Sequence, residues 1–183
     1  TSAFRQRVLE VRDLEVYNER GQRAVDHVSF SVKQGEILGV CGVEGNGQKE
    51  LVDMLFHLNV PNAGTVTVNG ENILGVSQRK IREKGVSLVP EDRMIYGIAG
   101  AASIQENLIS DRCGAKRLNK GPMFDMKAIH AEVDQLIRDY TVLCKSGSQR
   151  VDNLSGGNIQ KVVVAREFSN DPCLIIADQP TRG

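Results

Sequence analysis

Apolar positions alternate with polar ones in the first part of the chain. Alternation over 8–16 and 28–32, with turn-forming residues at 18–22 between them, predicts two strands of an antiparallel β portion. The continuous apolar run 36–42 predicts a strand buried on both faces, as parallel strands are. Alternation over 65–70, which ends in an Asn-Gly pair, predicts a further strand followed by a tight turn.

Apolar residues three and four positions apart predict helices. In 50–58 they recur with the spacing of one helix face, at Leu51, Met54, Leu55 and Leu58. We also predict a short charged helix over 77–84 and helices over 104–108, 125–140 and 155–170. The short apolar runs 86–90 and 173–178 predict strands. Strands and helices thus alternate around two buried strands, which is typical of an α/β sheet with a helical insertion.

Composition narrows the class of protein. The chain has 183 residues, of which 40% are hydrophobic and 25% charged, so we expect a folded globular domain. Basic and acidic residues both number 23, and without a basic excess we expect no nucleic-acid partner. No apolar run is long enough to cross a bilayer, and the first residues lack the apolar stretch of a secretory signal.

The cysteines and histidines do not suggest a metal site. The four cysteines are far apart in the sequence, so we expect small buried thiols in a reducing cytosol: Cys41, Cys113, Cys144 and Cys173. The three histidines are isolated, and we expect them at the surface or in packing: His27, His57 and His130. Any functional site must therefore be built from other residues.

The glycine-rich segment 42–50 lies between a predicted strand and a predicted helix. Such a turn exposes successive backbone N–H groups at the positive end of a helix dipole, which suits a phosphate ligand. The pattern aligns with the Walker A form through Gly42 and Gly47. Gln48 stands where the phosphate-binding lysine belongs, and Lys49 where the magnesium-binding Ser/Thr belongs. A purely structural tight turn is the alternative interpretation of this loop alone.

Two later segments favour the phosphate interpretation. LSGGNIQ (154–160) begins a predicted helix, and CLIIAD (173–178) is an apolar strand that ends in an acid, the Walker B form. A glycine loop, a helical segment, LSGG and a Walker B strand follow one another in ATP-binding cassettes. The chain therefore resembles the nucleotide-binding domain of an ABC transporter, over nearly its whole length.

A narrower resemblance rests on GVEGNGQKEL, VPEDR (89–93), LSGGNIQK and QPTRG (179–183). These segments are similar to the second, C-terminal cassette of the fused two-cassette ATPases that energise sugar and nucleoside uptake. GNGQ together with Gln179 resembles the nucleoside-import branch more than the ribose or galactose branch.

The resemblance implies roles for the residues of each motif. The loop would wrap the β and γ phosphates of ATP through Gly42, Val43, Glu44, Gly45, Asn46, Gly47, Gln48, Lys49 and Glu50. Tyr17 would stack on adenine, although a tyrosine that ends a strand is equally often core or edge filler. Asp178 would hold Mg²⁺, directly or through water. Glu91 replaces the glutamine that senses the γ-phosphate and couples to the membrane subunits.

The signature motif would serve a second cassette. It comprises Leu154, Ser155, Gly156, Gly157, Asn158 and Gln160. Ser155, at the N-cap of a helix, and the two glycines would contact the γ-phosphate of ATP held by the partner cassette. The two cassettes would pack head to tail with two ATP molecules between them.

The departures from the family pattern predict an asymmetric mechanism. An amide at position 48 loses a charge-assisted hydrogen bond of about 1.5–3 kcal/mol, which corresponds to about ten- to a hundredfold in affinity. Lys49 is turned by about 100° around the helix, so it cannot replace the lost cation. Gln179, at the usual glutamate position, orients water but takes no proton. We therefore expect a degenerate loop site beside an intact signature helix.

The resemblance also implies an architecture, partners and a location. It implies a RecA-like α/β core of P-loop NTPase type within one partial ABC domain, 1–183. Its parts are a β subdomain plus core over 5–101 and 169–183, with antiparallel strands at roughly 5–35 and 65–75, and a helical subdomain over 102–168. Its partners would be a second cassette and permease subunits, with ATP and Mg²⁺ as cofactors. The location would be peripheral, at the cytoplasmic face of the inner membrane.

Two further expectations complete the hypothesis. In the family, a cassette-pairing loop, a core strand and a γ-phosphate histidine follow the motif at 179–183, so we expect a truncated domain without ATPase activity by itself. Alternatives are a non-catalytic nucleotide-sensing or dimerisation module and a soluble ABC-type protein that acts on DNA or ribosomes.

Overall fold

The structure, a computed structural model, describes residues 6–43, 45–56 and 61–180. It separates into two units, Thr1–Val86 and Ser87–Gly183. Each unit buries its own set of apolar side chains. No helix within these described ranges is long and apolar enough to span a membrane.

An antiparallel sheet dominates the first unit. Its strands are β1 (Arg7–Tyr17), β2 (Arg23–Lys33), β3 (Ala63–Val68) and β4 (Glu71–Asn72), in the order β2-β1-β3-β4. One side of the central strand β1 is buried through Leu9, Val11, Leu14 and Val16. The predicted antiparallel β portion is confirmed, and the Asn69-Gly70 turn has positive φ at both residues, as a tight hairpin turn requires.

Two helices complete this unit. Helix α1 (Gln48–Leu55) buries Leu51, Met54 and Leu55, three of the four apolar positions that predicted it. The fourth predicted position, Leu58, lies outside the described residues. Helix α2 (Gln78–Glu83) begins after Ser77, whose hydroxyl accepts a hydrogen bond from the Lys80 N–H.

The prediction of a buried strand over 36–42 is wrong. Residues 36–43 have no regular structure, and the Ile37 side chain is 98% exposed. An apolar run forms a strand only where a neighbouring strand satisfies its backbone groups. Within the described residues, no strand pairs with this segment.

The second unit is built around three helices. They are α3 (Ile104–Ile109), α4 (Met126–Asp139) and α5 (Gly156–Phe168). Their shared core contains Ile104, Leu108, Ile129, Val133, Val151, Ile159, Val162 and Val163. Helix α3 begins with a capping box, in which the Ser103 hydroxyl and the Glu106 carboxylate satisfy each other's backbone N–H groups. The helices predicted at 104–108, 125–140 and 155–170 are confirmed.

Short strands join this helical core. β5 (Val86–Val89) pairs with β8 (Leu174–Ala177), while β6 (Asn119–Lys120) and β7 (Met123–Phe124) form a small hairpin. All of β5 is buried, but only Leu174 of β8 is, so the second buried strand is only partly confirmed.

The cysteine prediction is also wrong. Three thiols are exposed, and Cys144 is half-buried. Cys41 is exposed because its apolar run does not form a buried strand, and Cys173 because it precedes the largely exposed β8.

Candidate functional site

The glycine-rich loop of the first unit is fixed by a close backbone approach. Gly47, the N-cap of α1, is buried and has a φ of 90°. A Cβ on Gly47 would lie 2.0 Å from the carbonyl oxygen of Ala24 in β2, so only glycine fits. The Asn46 N–H donates to the Val43 carbonyl, which closes the turn before α1. Glu44, also assigned to the loop, lies outside the described residues.

The side chain of Gln48 folds back over the start of this loop. A Cβ on Gly42 would lie 1.9 Å from Nε2 of Gln48. The amide therefore lies directly against the backbone that the phosphate-loop pattern assigns to a ligand. It is a neutral group at the place where that pattern has a lysine.

Lys49 and Glu50 follow in the first turn of α1. Lys49 Nζ lies 2.6 Å from Asp53 Oδ2, one helical turn further on, and the lysine side chain is 69% exposed. Successive helical residues are about 100° apart, so Lys49 and Gln48 leave the helix in different directions. Glu50 is half-buried in the same turn, at the end of α1 whose dipole favours acidic side chains.

Tyr17, the candidate for adenine stacking, ends β1 and is half-buried. The Arg23 guanidinium lies over its ring, 5.8 Å from the centroid, and Arg23 Nε donates to the phenolic oxygen at 3.3 Å. The Tyr17 N–H donates to the side-chain oxygen of Asn62. A base that stacks on Tyr17 would have to share the ring with Arg23.

The signature segment begins α5 in the second unit. Ser155 is the N-cap residue, as predicted, but its side chain caps no backbone N–H. Instead, Asn158 Nδ2 donates to the Ser155 hydroxyl at 2.9 Å, and Asn158 Oδ1 accepts the Leu143 N–H at 2.8 Å. Gly156 and Gly157 are exposed in the first helical turn, where N–H groups have no intrahelical acceptor. This turn can bind an anion.

The segment after β8 connects to the signature helix and to β5 through Asp178 and Pro180. The half-buried Asp178 donates its N–H to the Val89 carbonyl of β5 at 2.9 Å. Gln179 is exposed and has a φ of 43°, a left-handed conformation that few residues other than glycine adopt. Gln160 Nε2 of α5 donates to the Pro180 carbonyl at 3.2 Å, which ties the signature helix to this segment.

The segment after β5 also approaches the signature turn. The half-buried Glu91 is followed by Asp92, whose carboxylate accepts the N–H groups of Met94 and Ile95 and caps the π-helical turn Arg93–Gly97. A Cβ on Gly156 would lie 2.8 Å from Arg93 Nη2, so the guanidinium lies against the signature backbone. The segment 89–93 carries part of the family resemblance, which implies no role for Arg93.

A buried ionic group on α5 was also not predicted from the sequence. Glu167 is fully buried; its carboxylate accepts the Leu88 N–H of β5 at 3.2 Å and an Arg166 N–H at 2.9 Å. The Ser87 hydroxyl donates to the Glu167 carbonyl at 2.8 Å. Two adjacent charged residues, 166 and 167, within an otherwise apolar helical stretch could have indicated this buried ion pair.

The glycine loop belongs to the first unit, whereas the signature turn, Glu91, Asp178 and Gln179 belong to the second. Both units offer backbone N–H groups at the start of a helix, the arrangement by which α/β proteins of the P-loop class bind phosphate. Within the described residues, no group of three or more His, Cys, Asp or Glu side chains is arranged to hold a metal ion.

Comparison with known proteins identifies the family. Residues 25–182 match the family model for the ABC transporter, and the chain belongs to that family. The predicted family is therefore confirmed.

Curated relatives are import proteins. The chain is 38% identical over 178 residues to the glucose import ATP-binding protein TsgD13 of Haloferax volcanii, covering 96% of this chain and 32% of that protein. It is 36% identical over 176 residues to the guanosine import ATP-binding protein NupO of Bacillus subtilis, covering 96% and 34%. The chain thus spans about a third of the length of these relatives.

Solved structures confirm the fold. A dimeric bacterial ABC transporter cassette has a TM-score of 0.76 at 21% identity, with 94% of this chain and 74% of that chain covered. A bacterial Atm1-family ABC exporter with ATP bound has a TM-score of 0.74 at 24% identity, with 99% and 30% covered. The chain has the P-loop NTPase fold of ABC cassettes, as predicted.

Proposed function

We propose that this chain is part of the ATP-binding component of an importer for simple sugars or nucleosides. The family match and the import functions named for its relatives support this proposal. The component couples ATP binding and hydrolysis to transport, and works with permease subunits and a second cassette. It lies peripherally at the cytoplasmic face of the inner membrane.

We further propose that the chain is the second of two fused cassettes. In this arrangement 5–101 and 169–183 form the β subdomain and RecA-like core, and 102–168 forms the helical subdomain. The segment around Glu91 transmits the closure of the cassettes to the permease. Its position directly after the buried strand β5 supports this role, because a rigid strand transmits displacement at its end.

The two phosphate-binding elements differ in how well they fit ATP. In the glycine loop a neutral amide lies against Gly42, and Lys49 is paired with Asp53. In the signature turn, Gly156 and Gly157 are exposed residues and the Ser155 side chain caps no backbone N–H. The signature turn therefore fits a terminal phosphate better than the loop does.

This contrast supports an asymmetric mechanism. Ser155, Gly156 and Gly157 hold the γ-phosphate of ATP bound to the partner cassette, and Asp178 and Gln179 form a weakened magnesium and water site on this chain. Bound ATP supplies the free energy that clamps the two cassettes together. Gln179 orients water through its amide but accepts no proton at neutral pH. The fold-back of Gln48 over Gly42 is the observation on which the asymmetry rests.

The test compares the two elements in the assembled transporter. Ser155→Arg places a large side chain in the signature turn, and we expect it to abolish ATP hydrolysis. Asp178→Asn affects only this chain's own site, and we expect most of the activity to remain. Ser148→Arg, at an exposed serine outside the motifs, is the matched control. Equal losses from the first two variants would contradict the asymmetry.

A non-catalytic nucleotide-sensing or dimerisation module is the second candidate, because the amide at position 48 weakens the loop. Tight, Mg²⁺-independent nucleotide binding without turnover stimulated by a partner would favour it. Under the main proposal, the purified chain alone hydrolyses no ATP, and Mg²⁺-dependent turnover by that chain would contradict it.

A further inference from the structure

Arg93 has a fixed position at the signature turn. Its Nη2 atom lies 2.8 Å from where a Cβ of Gly156 would be, and its Cζ lies 3.7 Å from the same point. An alanine at position 156 would push the guanidinium away. The two glycines of the motif therefore differ. Gly156 makes room for Arg93, whereas the Cβ position of Gly157 has no heavy atom of the described chain within 4 Å apart from its chain neighbours and the nearby helix backbone.

The turn that holds Arg93 is anchored on the signature helix. A Cβ on Gly97 would lie 3.1 Å from Val163 Cγ2 of α5 and 3.1 Å from Arg93 Cβ. Gly97 thus lets the π-helical turn pack closely on α5. Asp92 fixes the start of the same turn by accepting the Met94 and Ile95 N–H groups at 2.9 and 3.0 Å. The Arg93 backbone is therefore positioned by contacts at both ends of its turn.

The signature turn itself lacks charge. The segment 154–160 has no ionisable side chain, so it meets an anion only with backbone dipoles and a hydroxyl. A guanidinium presents N–H donors in a planar fork that matches phosphate oxygens, and a charged donor binds them about twice as strongly as a neutral one. Arg93 is the cationic side chain that the structure places against Gly156.

We infer that Arg93 supplies the positive charge of the signature site and contacts the terminal phosphate of the ATP held there. This inference rests on the proposed function of the signature turn. The region around Glu91, which we propose transmits closure to the permease, thereby gains a second role. Its turn Arg93–Gly97 supplies a side chain that binds phosphate.

The test measures nucleotide binding in the assembled transporter, with a fluorescent ATP analogue and Mg²⁺ at low and at high salt. We expect Arg93→Gln to weaken binding about tenfold, the effect of losing one charge-assisted hydrogen bond. Arg93→Lys should recover most of the affinity, since it keeps the charge. Binding by wild type should weaken more with added salt than binding by Arg93→Gln, because salt screens the lost interaction.

Arg138→Gln is the matched control, since Arg138 is exposed on α4, where its Nη2 donates to the Gln135 side chain. We expect unchanged binding. Wild-type affinity in Arg93→Gln, or equal losses in the glutamine and lysine variants, would overturn the inference. Ser155→Arg separates the two proposals. If it weakens binding and Arg93→Gln does not, only the inference fails; if neither does, the proposed function of the signature turn fails too.

Discussion

The position of a single amide, Gln48 Nε2, sets the chemistry of the glycine loop. The amide lies against Gly42, where the phosphate-loop pattern would place a cation. Lys49, one residue further on, is paired with Asp53 on another side of α1. At this scale a single substitution decides whether the loop binds a triphosphate strongly.

Restoring the lysine should restore affinity. We expect Gln48→Lys to tighten ATP binding by about ten- to a hundredfold, because it adds a charge-assisted hydrogen bond to phosphate. Isothermal titration of ATP into the full-length protein measures the change. Lys49→Gln is the matched control and should leave affinity within about twofold, since this lysine is paired with Asp53. Unchanged affinity in Gln48→Lys would show that the loop fails for another reason.

His27 is a second residue whose environment makes a prediction. Its ring nitrogens lie 2.7 Å from carboxylate oxygens of Asp13 and Glu15. The hydrogen bond to Asp13, followed by the charge of Glu15, raises the pKa of His27 above its usual 6.5. A raised pKa means that the protonated ring stabilises the folded state. This stabilisation is complete below the unfolded pKa of about 6.5 and is lost as pH rises through the folded pKa.

We therefore expect His27→Gln to destabilise the protein at mildly acidic pH and to have little effect at alkaline pH. Urea unfolding of both proteins at several pH values measures the difference. NMR titration of the His27 ring gives the folded pKa directly. His130→Gln on α4 serves as the control. A loss of stability that is the same at every pH would contradict the ion-pair explanation.

At the scale of the element, the spacing of apolar positions predicted the helices well. The periodic apolar positions of α4 mark a helix through residues only three and four positions apart, so sequence suffices to find it. The run 36–42 shows the limit. Its apolar character predicts burial, but burial in a sheet depends on a partner strand that the local pattern does not specify.

The joint between α5 and β5 depends on Glu167. Its carboxylate is fully buried and accepts hydrogen bonds from the Leu88 N–H and from Arg166. We expect Glu167→Ala to lower the free energy of unfolding by about 3–5 kcal/mol, because it leaves buried polar partners without their charge. Thermal or urea unfolding of the full-length protein measures this change.

Glu83→Ala is the control for this prediction. Glu83 pairs with Arg79 on α2, and both side chains are exposed, so its loss should cost less than about 1 kcal/mol. Similar costs for the two variants would show that the buried carboxylate of Glu167 does not stabilise the joint.

At the scale of the whole molecule, sequence revealed the family and the motif residues but not all of their neighbours. Gln48 and Gln179 stand out because a motif specifies the residue expected at each position. Arg93 does not, since its relation to Gly156 arises only when the turn after β5 packs on α5. Long-range contacts of this kind have no signature in local spacing.

The proposed asymmetry has a consequence for nucleotide stoichiometry. If the loop of this chain binds ATP weakly and its signature turn serves the partner's ATP, the assembled pair retains about one tightly bound nucleotide, not two. The reason is the affinity difference of about ten- to a hundredfold expected from the lost cation at position 48. Counting nucleotides retained by the clamped transporter after rapid gel filtration measures this number.

Gln48→Lys provides the internal comparison, because a restored cation should raise the retained count toward two. Ser155→Arg should reduce the count instead, since the partner's ATP would lose the signature turn formed by the exposed Gly156 and Gly157. Opposite changes in the two variants follow only if one chain serves two different nucleotides with two different elements. Two nucleotides retained by the wild-type pair would show that both sites bind ATP alike, whatever the arrangement of Gln48 over Gly42.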